Sequence, residues 1–330
     1  MASIVAGIGA SHSIMLMARL EDWPKFAQVD KERAKFYFDK AGNPTSYEAL
    51  LTMAPSGLDE ILLPEATRAR YERCQVGLAK LRHALGRIEP DAIVIIGDDQ
   101  KEMLLDDNLP AFLIYWGKEI VNRPTTRTEP WDWYTDARRR YYEPAAKAFP
   151  VASDLGEHLV RALMAENFDV AQSTRQPEHV GEGEGHAFAF PREVLMPDKS
   201  LPIVPVCINA YYPPNQPSAQ RCYDFGRALA SAVKSWPKSA RVAFIATGGL
   251  SHFCLDEDFD RNLIAAMQQK DPHAIAAVPP AKLKSGSGEI RNWIALAGAM
   301  ESLNLNWSDY VPCYRSPAGT GTGIAFAIWE

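Results

Sequence analysis

Cysteine is scarce in this chain of 330 residues. The five present, Cys74, Cys207, Cys222, Cys254 and Cys313, are widely separated, odd in number and never in a CxxC spacing. A disulfide framework or cysteine-rich zinc site is therefore not expected, and reduced thiols fit better. An excess of positive charge is missing too: 35 Lys and Arg stand against 41 Asp and Glu, a net charge of -6. Nucleic-acid binders carry a basic field, so no nucleic-acid partner is expected. No run approaches the ~20 apolar residues of a membrane span. The first residues, MASIVAGIGASHS, lack the basic and long apolar regions of a signal peptide, so a soluble cytoplasmic protein is expected. There is no internal repeat, low-complexity tract or Gly/Ser linker. The glycine-rich dinucleotide fingerprint, the Walker loop and the G-x-S-x-G elbow are all absent.

What is present is an ordinary globular balance, 47% hydrophobic and 23% charged. Four short apolar runs, Ile4 to Ile8, Ala92 to Ile96, Ile203 to Asn209 and Val242 to Ala246, have the length and Val/Ile content of strands covered on both faces. Tyr71, Cys74, Leu78, Leu81 and Leu85 recur at steps of three and four and predict a helix that stops near Gly86. Cys222, Phe225, Leu229, Val233 and Trp236, closed by Pro237, predict a second. Ile290, Trp293, Ile294, Ala297 and Met300 predict a third. This alternation predicts an α/β fold, a mostly parallel central sheet flanked by helices, as a single domain over 1–330. An aromatic-rich insertion at about 117–150 carries Trp131, Trp133, Tyr134, Tyr141 and Tyr142 beside Arg138, Arg139 and Arg140. It reads either as packing on the main body or at a subunit contact, or as a lid over a flat substrate.

Ligands of open α/β sheets bind beyond the carboxyl ends of strands. Each predicted strand runs into polar residues there: Ser11-His12-Ser13, Gly97-Asp98-Asp99-Gln100, Asn209 through Asn215, and Thr247-Gly248-Gly249-Leu250-Ser251-His252. On one sheet edge these would make a pocket of two histidines, two carboxylates and several amides. Each also has a plainer reading: His12 as a hydrogen-bonded core histidine, Asp98 and Asp99 as caps or turn residues, Gly248-Gly249 as a tight turn. Gly181-Glu182-Gly183-Glu184-Gly185-His186 alternates glycines. It suits a mobile segment presenting His186 as a proton carrier, or a surface loop with a solvated histidine near an exposed His179. Asp256, Glu257 and Asp258 suit a helix start that complements the macrodipole, or offer a carboxylate to His12. Histidine and carboxylate with open positions is the chemistry of non-haem Fe(II) sites.

The pieces GIGASHS, VIIGDDQKEM, NAYYPPNQP, GEGHAFAF, TGGLSHF and YRSPAGTGTG spread in this order over nearly the whole chain. Together they resemble the class III extradiol ring-cleavage dioxygenases of the protocatechuate 4,5-dioxygenase catalytic-subunit type, and within them the gallate and 3-O-methylgallate dioxygenase branch. The resemblance implies Fe(II) held by two histidines and a glutamate, with a small catechol-type aromatic acid and O2 as substrates. It places the first ligand at His12 and the second at Gln100, an amide instead of an imidazole. The acidic ligand falls near Glu257 or Asp258, the register favouring Asp258. His186 takes the acid–base role, and His252 lines or supports the site as a second catalytic histidine. Substrate contacts fall on Arg315, Tyr212 and Ser251, Arg315 having a structural salt bridge as its alternative. A homo-oligomer, most simply a homodimer, is expected from exposed aromatics. Because an amide is a poorer Fe(II) ligand than imidazole, two other readings stay open. One is a metal-independent lyase, decarboxylase or hydrolase on an aromatic acid. The other is a non-catalytic partner subunit.

Overall fold

The four Val/Ile runs lie side by side at the centre of one sheet. A computed structural model describes residues 1–32, 37–177, 181 and 183–330. Its strands are β1 (Ser3–Ala10), β2 (Ala92–Gly97), β3 (Phe112–Tyr115), β4 (Glu119–Asn122), β5 (Lys147–Pro150), β6 (Ala171–Ser173), β7 (Ile203–Ile208), β8 (Arg241–Thr247), β9 (His252–Cys254), β10 (Leu305–Tyr314) and β11 (Thr320–Trp329). The main sheet runs β10-β11-β1-β8-β2-β7-β3-β6, with β9 also paired to β11. The central neighbours β1/β8, β8/β2 and β2/β7 are parallel. Antiparallel pairing enters outside them, where β11 meets β1 and β10 and where β3 meets β7.

Period-two alternation divides these strands between two cores. Val94, Ile96, Val204, Val206 and Phe244 face the helices Ser153–Ala165, Ala219–Ser235 and Ile290–Ala299. Ile8, Ile93, Ile95, Cys207 and Ile245 face the opposite way, towards the helix Pro64–Ile88. That helix runs through Gly86, the expected stop, and ends where Glu89 turns left-handed at φ 48°. Ile88 is buried and extends the apolar stripe by another member, which outweighs the cost of about 1 kcal/mol for a helical glycine.

Within 117–150, β4 and β5 form a separate two-stranded sheet, with the helix Asp132–Arg139 between them in sequence. Tyr134, Tyr141 and Tyr142 are buried, and Trp133 and Tyr134 pack edge-on against Phe26 at 4.9 and 5.7 Å between ring centres. The aromatic rings are thus packed into the second core. Among the described residues no helix is long and apolar enough to cross a membrane.

Phe244 is fully buried in the middle of β8. Phe244→Ala should lower unfolding free energy by about 3–5 kcal/mol, the usual cost of emptying an aromatic core position, measured by denaturant titration.

Candidate active site

The parallel centre brings four strand ends to one edge. β1 delivers His12, β2 delivers Asp98, β7 leads to Asn209–Tyr212, and β8 leads through Gly248 to His252. The turn after β8 needs its glycine: Gly248 has φ +119°, and a Cβ there would lie 2.8 Å from the Cβ of Glu289. The fifth component comes from far along the chain. The helix Ile290–Ala299 points its first turn at these ends and fastens them. Trp293 Nε1 donates to the Gly248 carbonyl at 2.8 Å, and Asn292 Nδ2 to the Thr247 carbonyl at 2.9 Å and Asp98 Oδ1 at 3.1 Å. Arg291 donates to the carbonyls of Pro217 and Ala210 at 2.7 and 3.2 Å.

Glu289, just before that helix, is buried at the centre of the pocket. Its Oε2 accepts the Gly249 amide at 2.6 Å and lies 3.4 Å from His12 Nε2 and 3.5 Å from His252 Nε2. Its Oε1 accepts the Tyr211 hydroxyl and the Gln100 amide, the latter at 3.4 Å; Gln100 also donates to Tyr211 at 3.1 Å. Burial pushes the Glu289 carboxyl up, but His252 and His12 beside it outweigh this and hold it well below the usual carboxylate range. His252 Nδ1 donates to the Leu250 carbonyl at 2.8 Å, which leaves Nε2 turned to Glu289. His12 has no hydrogen-bond partner on either ring nitrogen, and the buried Oδ2 of Asp98 has none either. Asp98 is raised well above its ordinary range by burial and by the charge of Glu289.

A second histidine–carboxylate unit faces the first. His186 Nδ1 donates to Glu102, with both oxygens at 2.7 Å, and Glu102 also accepts the Tyr142 hydroxyl at 3.0 Å. Burial pushes Glu102 up, but the charge and hydrogen bond of His186 outweigh it and bring the carboxyl to about 2. In His186 burial acts to lower the pKa, and Glu102 reverses this so that the net shift is upward. The His186 ring stands 4.5 Å from that of His12, and the Tyr141 hydroxyl donates to the His12 carbonyl at 2.6 Å. Ligand atoms of His12, Asp98 and His186 all lie within 4.8 Å of one another, a spacing that could hold a metal ion.

Several expectations are corrected by position. Glu257 and Asp258 are not the carboxylates beside His12. They open the helix Glu257–Gln269, where Asp258 is exposed and Glu257 accepts Tyr314 and Arg261 at 2.9 and 3.1 Å. Arg315 is buried in an ion pair with Asp30 at 3.3 Å and donates to Thr322 at 2.8 Å, so its structural reading holds. Ser251 is bound through its amide (3.0 Å) and hydroxyl (2.6 Å) to Asp260, which shapes the turn before His252. Tyr212 is half-buried and anchored through its amide to Asn209 at 2.9 Å, and its neighbour Tyr211 is the one that reaches Glu289. Asp99 caps a turn, taking the amides of Glu102, Met103 and Leu104 at 3.2, 2.8 and 3.1 Å. His186 is not on a solvated loop. It opens the short helix His186–Phe190, whose Ala187 to Phe190 are fully buried, and Glu184 before it pairs with Arg192. His179 and Glu182 lie outside the described residues. Glu289, Tyr211 and Glu102 were not singled out by sequence. The one available signal for Glu289 is an acidic residue in a Gly/Ser segment at the head of an apolar helix.

Fold and site define an α/β protein with a histidine–carboxylate pocket at the carboxyl edge of a parallel sheet. Residues 49–325 match the family described as the catalytic LigB subunit of aromatic ring-opening dioxygenase, and the chain belongs to that family. Among curated proteins it is similar to a gallate dioxygenase of Pseudomonas putida, 30% identical over 181 residues that make up 51% of this chain and 50% of that protein. It is also similar to a 2,3-dihydroxyphenylpropionate/2,3-dihydroxicinnamic acid 1,2-dioxygenase of Comamonas testosteroni, 27% identical over 175 residues, 53% of this chain and 47% of that one. The chain thus spans about half the length of these relatives.

The ring of His252 fits because Gly286 has no side chain: a Cβ there would lie 2.2 Å from His252 Cδ2. Gly286→Ala should therefore destabilise by about 1–3 kcal/mol, as overpacking does, and a crystal structure of the variant should show the imidazole moved off Glu289.

Proposed function

We propose that the chain is an Fe(II)-dependent extradiol dioxygenase that opens the ring of a small catechol-type aromatic acid of the gallate, methylgallate or protocatechuate kind, using O2. The observation that carries this reading is His12, a buried imidazole whose ring nitrogens make no hydrogen bond, set between the carboxylates of Glu289 and Asp98 in a chain of this family. Buried polar atoms are normally paired. Imidazole and carboxylate donors suit Fe(II), so the residues fit such an ion, with His12 and Glu289 holding it. When bound, the metal would supply a Lewis-acidic, redox-active centre for the phenolic oxygens and for O2.

The remaining work falls to the chain. Glu102 fixes the Nδ1–H form of His186, so its Nε2 is the atom that accepts a phenolic proton and later returns it. Tyr211 and Gln100 steady one oxygen of Glu289 while the other faces His12 and His252. Tyr141 and Tyr142, brought by the 117–150 segment, wall the pocket and exclude water from the His12–His186 contact. The engagement of Gln100 with Tyr211 and Glu289 favours one second reading, a metal-independent acid–base enzyme on an aromatic acid.

Anaerobic Fe(II) reconstitution followed by oxygen uptake with gallate-type acids tests both. Uptake that depends on added iron is expected. Silence with every catechol, or full turnover by a metal-free preparation, would overturn the dioxygenase reading. His12→Ala should abolish metal binding with little change in circular dichroism. His186→Gln should keep substrate binding and slow single-turnover chemistry by roughly 10²–10⁴-fold, the usual worth of acid–base catalysis.

A further inference from the structure

We propose that the end of β2 contributes its metal ligand through Asp98 and not through Gln100, a reading that rests on the dioxygenase assignment and makes it specific to this chain. Three polar side chains follow β2, and their engagements separate them. Gln100 is half-buried, and its amide nitrogen is committed to Tyr211 and to Oε1 of Glu289, whereas His12 and His252 face Oε2. It acts on the carboxylate, holding it in place. Asp99 is spent on the three backbone amides of the turn that follows. Asp98 is fully buried, its Oδ1 lies 3.8 Å from His12 Nε2 and accepts the Asn292 amide, and its Oδ2 has no partner at all.

Charge gives the second, independent argument. Asp98 and Glu289 are two buried carboxylates that no lysine or arginine pairs among the described residues; the ion-pairing side chains beside them there are histidines. Keeping an unpaired carboxylate out of water is costly unless something positive joins it. His12, whose ring nitrogens also make no hydrogen bond, has a ligand atom within 4.8 Å of one of Asp98, so one group can serve the carboxylate and an imidazole lone pair together. A divalent cation does both, and water satisfies only the hydrogen bonds. The resulting donors are one imidazole and two carboxylates, whose charges balance a dication. The negative charge of Asp98 replaces what the neutral amide of Gln100 does not provide, and His186 is left free to move protons.

The test uses the full chain stripped with a chelator and titrated anaerobically with Fe(II), or with Co(II) as a spectroscopic probe, by calorimetry and thermal melting. Asp98→Asn keeps the shape and removes the charge. It should lose metal affinity by more than ~10²-fold, beyond the 10–100-fold typical of outer residues around a metal. Its metal-free form should melt at or above metal-free wild type at pH 8. Asp98→Glu should recover part of the affinity, and Gln100→Ala should lose far less than Asp98→Asn. Should Asp98→Asn fail to fold, the comparison of Asp98→Glu with Gln100→Ala decides. Metal binding by wild type that is indifferent to Asp98→Asn, or hurt at least as much by Gln100→Ala, overturns the Asp98 assignment alone. A wild-type chain that binds neither Fe(II) nor Co(II) overturns the dioxygenase reading with it.

Discussion

The carboxylate of Glu289 has to be satisfied in a place that water does not reach, and the pocket is arranged around that requirement. Five groups from four segments surround it: the Gly249 amide and the His252 ring after β8, the Tyr211 hydroxyl, the Gln100 amide, and the ring of His12. Each buried group left unpaired would cost about 1–3 kcal/mol, so the relative positions of the strand ends are not free to drift. The helix that follows completes the fastening: Arg291 donates to backbone beyond β7, Asn292 and Trp293 to backbone at the end of β8, and Asn292 also to Asp98 after β2. Packing the helix against the sheet and building the pocket are one event.

Two histidine–carboxylate units result, with different electrostatic characters. Glu102 has one imidazole and a tyrosine hydroxyl and stays ionised down to about 2. Around His12 the carboxylates outnumber their partners, and Asp98 is pushed in the opposite direction by burial and by Glu289. One unit is complete as it stands, its imidazole locked by Glu102; the other has donor atoms to spare. The 117–150 segment serves both, since Tyr141 holds the backbone of His12 and Tyr142 holds Glu102. Its aromatic content reflects this buttressing.

The sheet was legible because its evidence is local: short Val/Ile runs, turn residues after them, and helical stripes between. The same locality made His12, Gln100 and His252 visible at strand ends, and they do meet at Glu289. Glu289 itself was hidden. An acidic residue at a helix start has an ordinary electrostatic explanation, and Glu257 and Asp258 fit that description equally well. Nothing in the sequence says which helix start is aimed at the strand ends. Two long-range pairings could not be read from the sequence. Arg315 meets Asp30 across 285 residues, and His186, preceded by glycines, is pinned by Glu102 across 84. Gly86 misled in the other direction, because burial of Ile88 carried the helix past it.

His12 follows β1, whose partners among the described residues, β8 and β11, begin as far along the chain as Arg241 and Thr320. The Asn292–Asp98 bond closes a separation of 194 residues. Contacts of such range form late, after the entropy of closing long loops has been met. The surroundings of His12 and Asp98 are therefore completed only once these distant segments have paired. No single stretch of the chain carries this pocket by itself, so any ligand that uses it meets a finished fold.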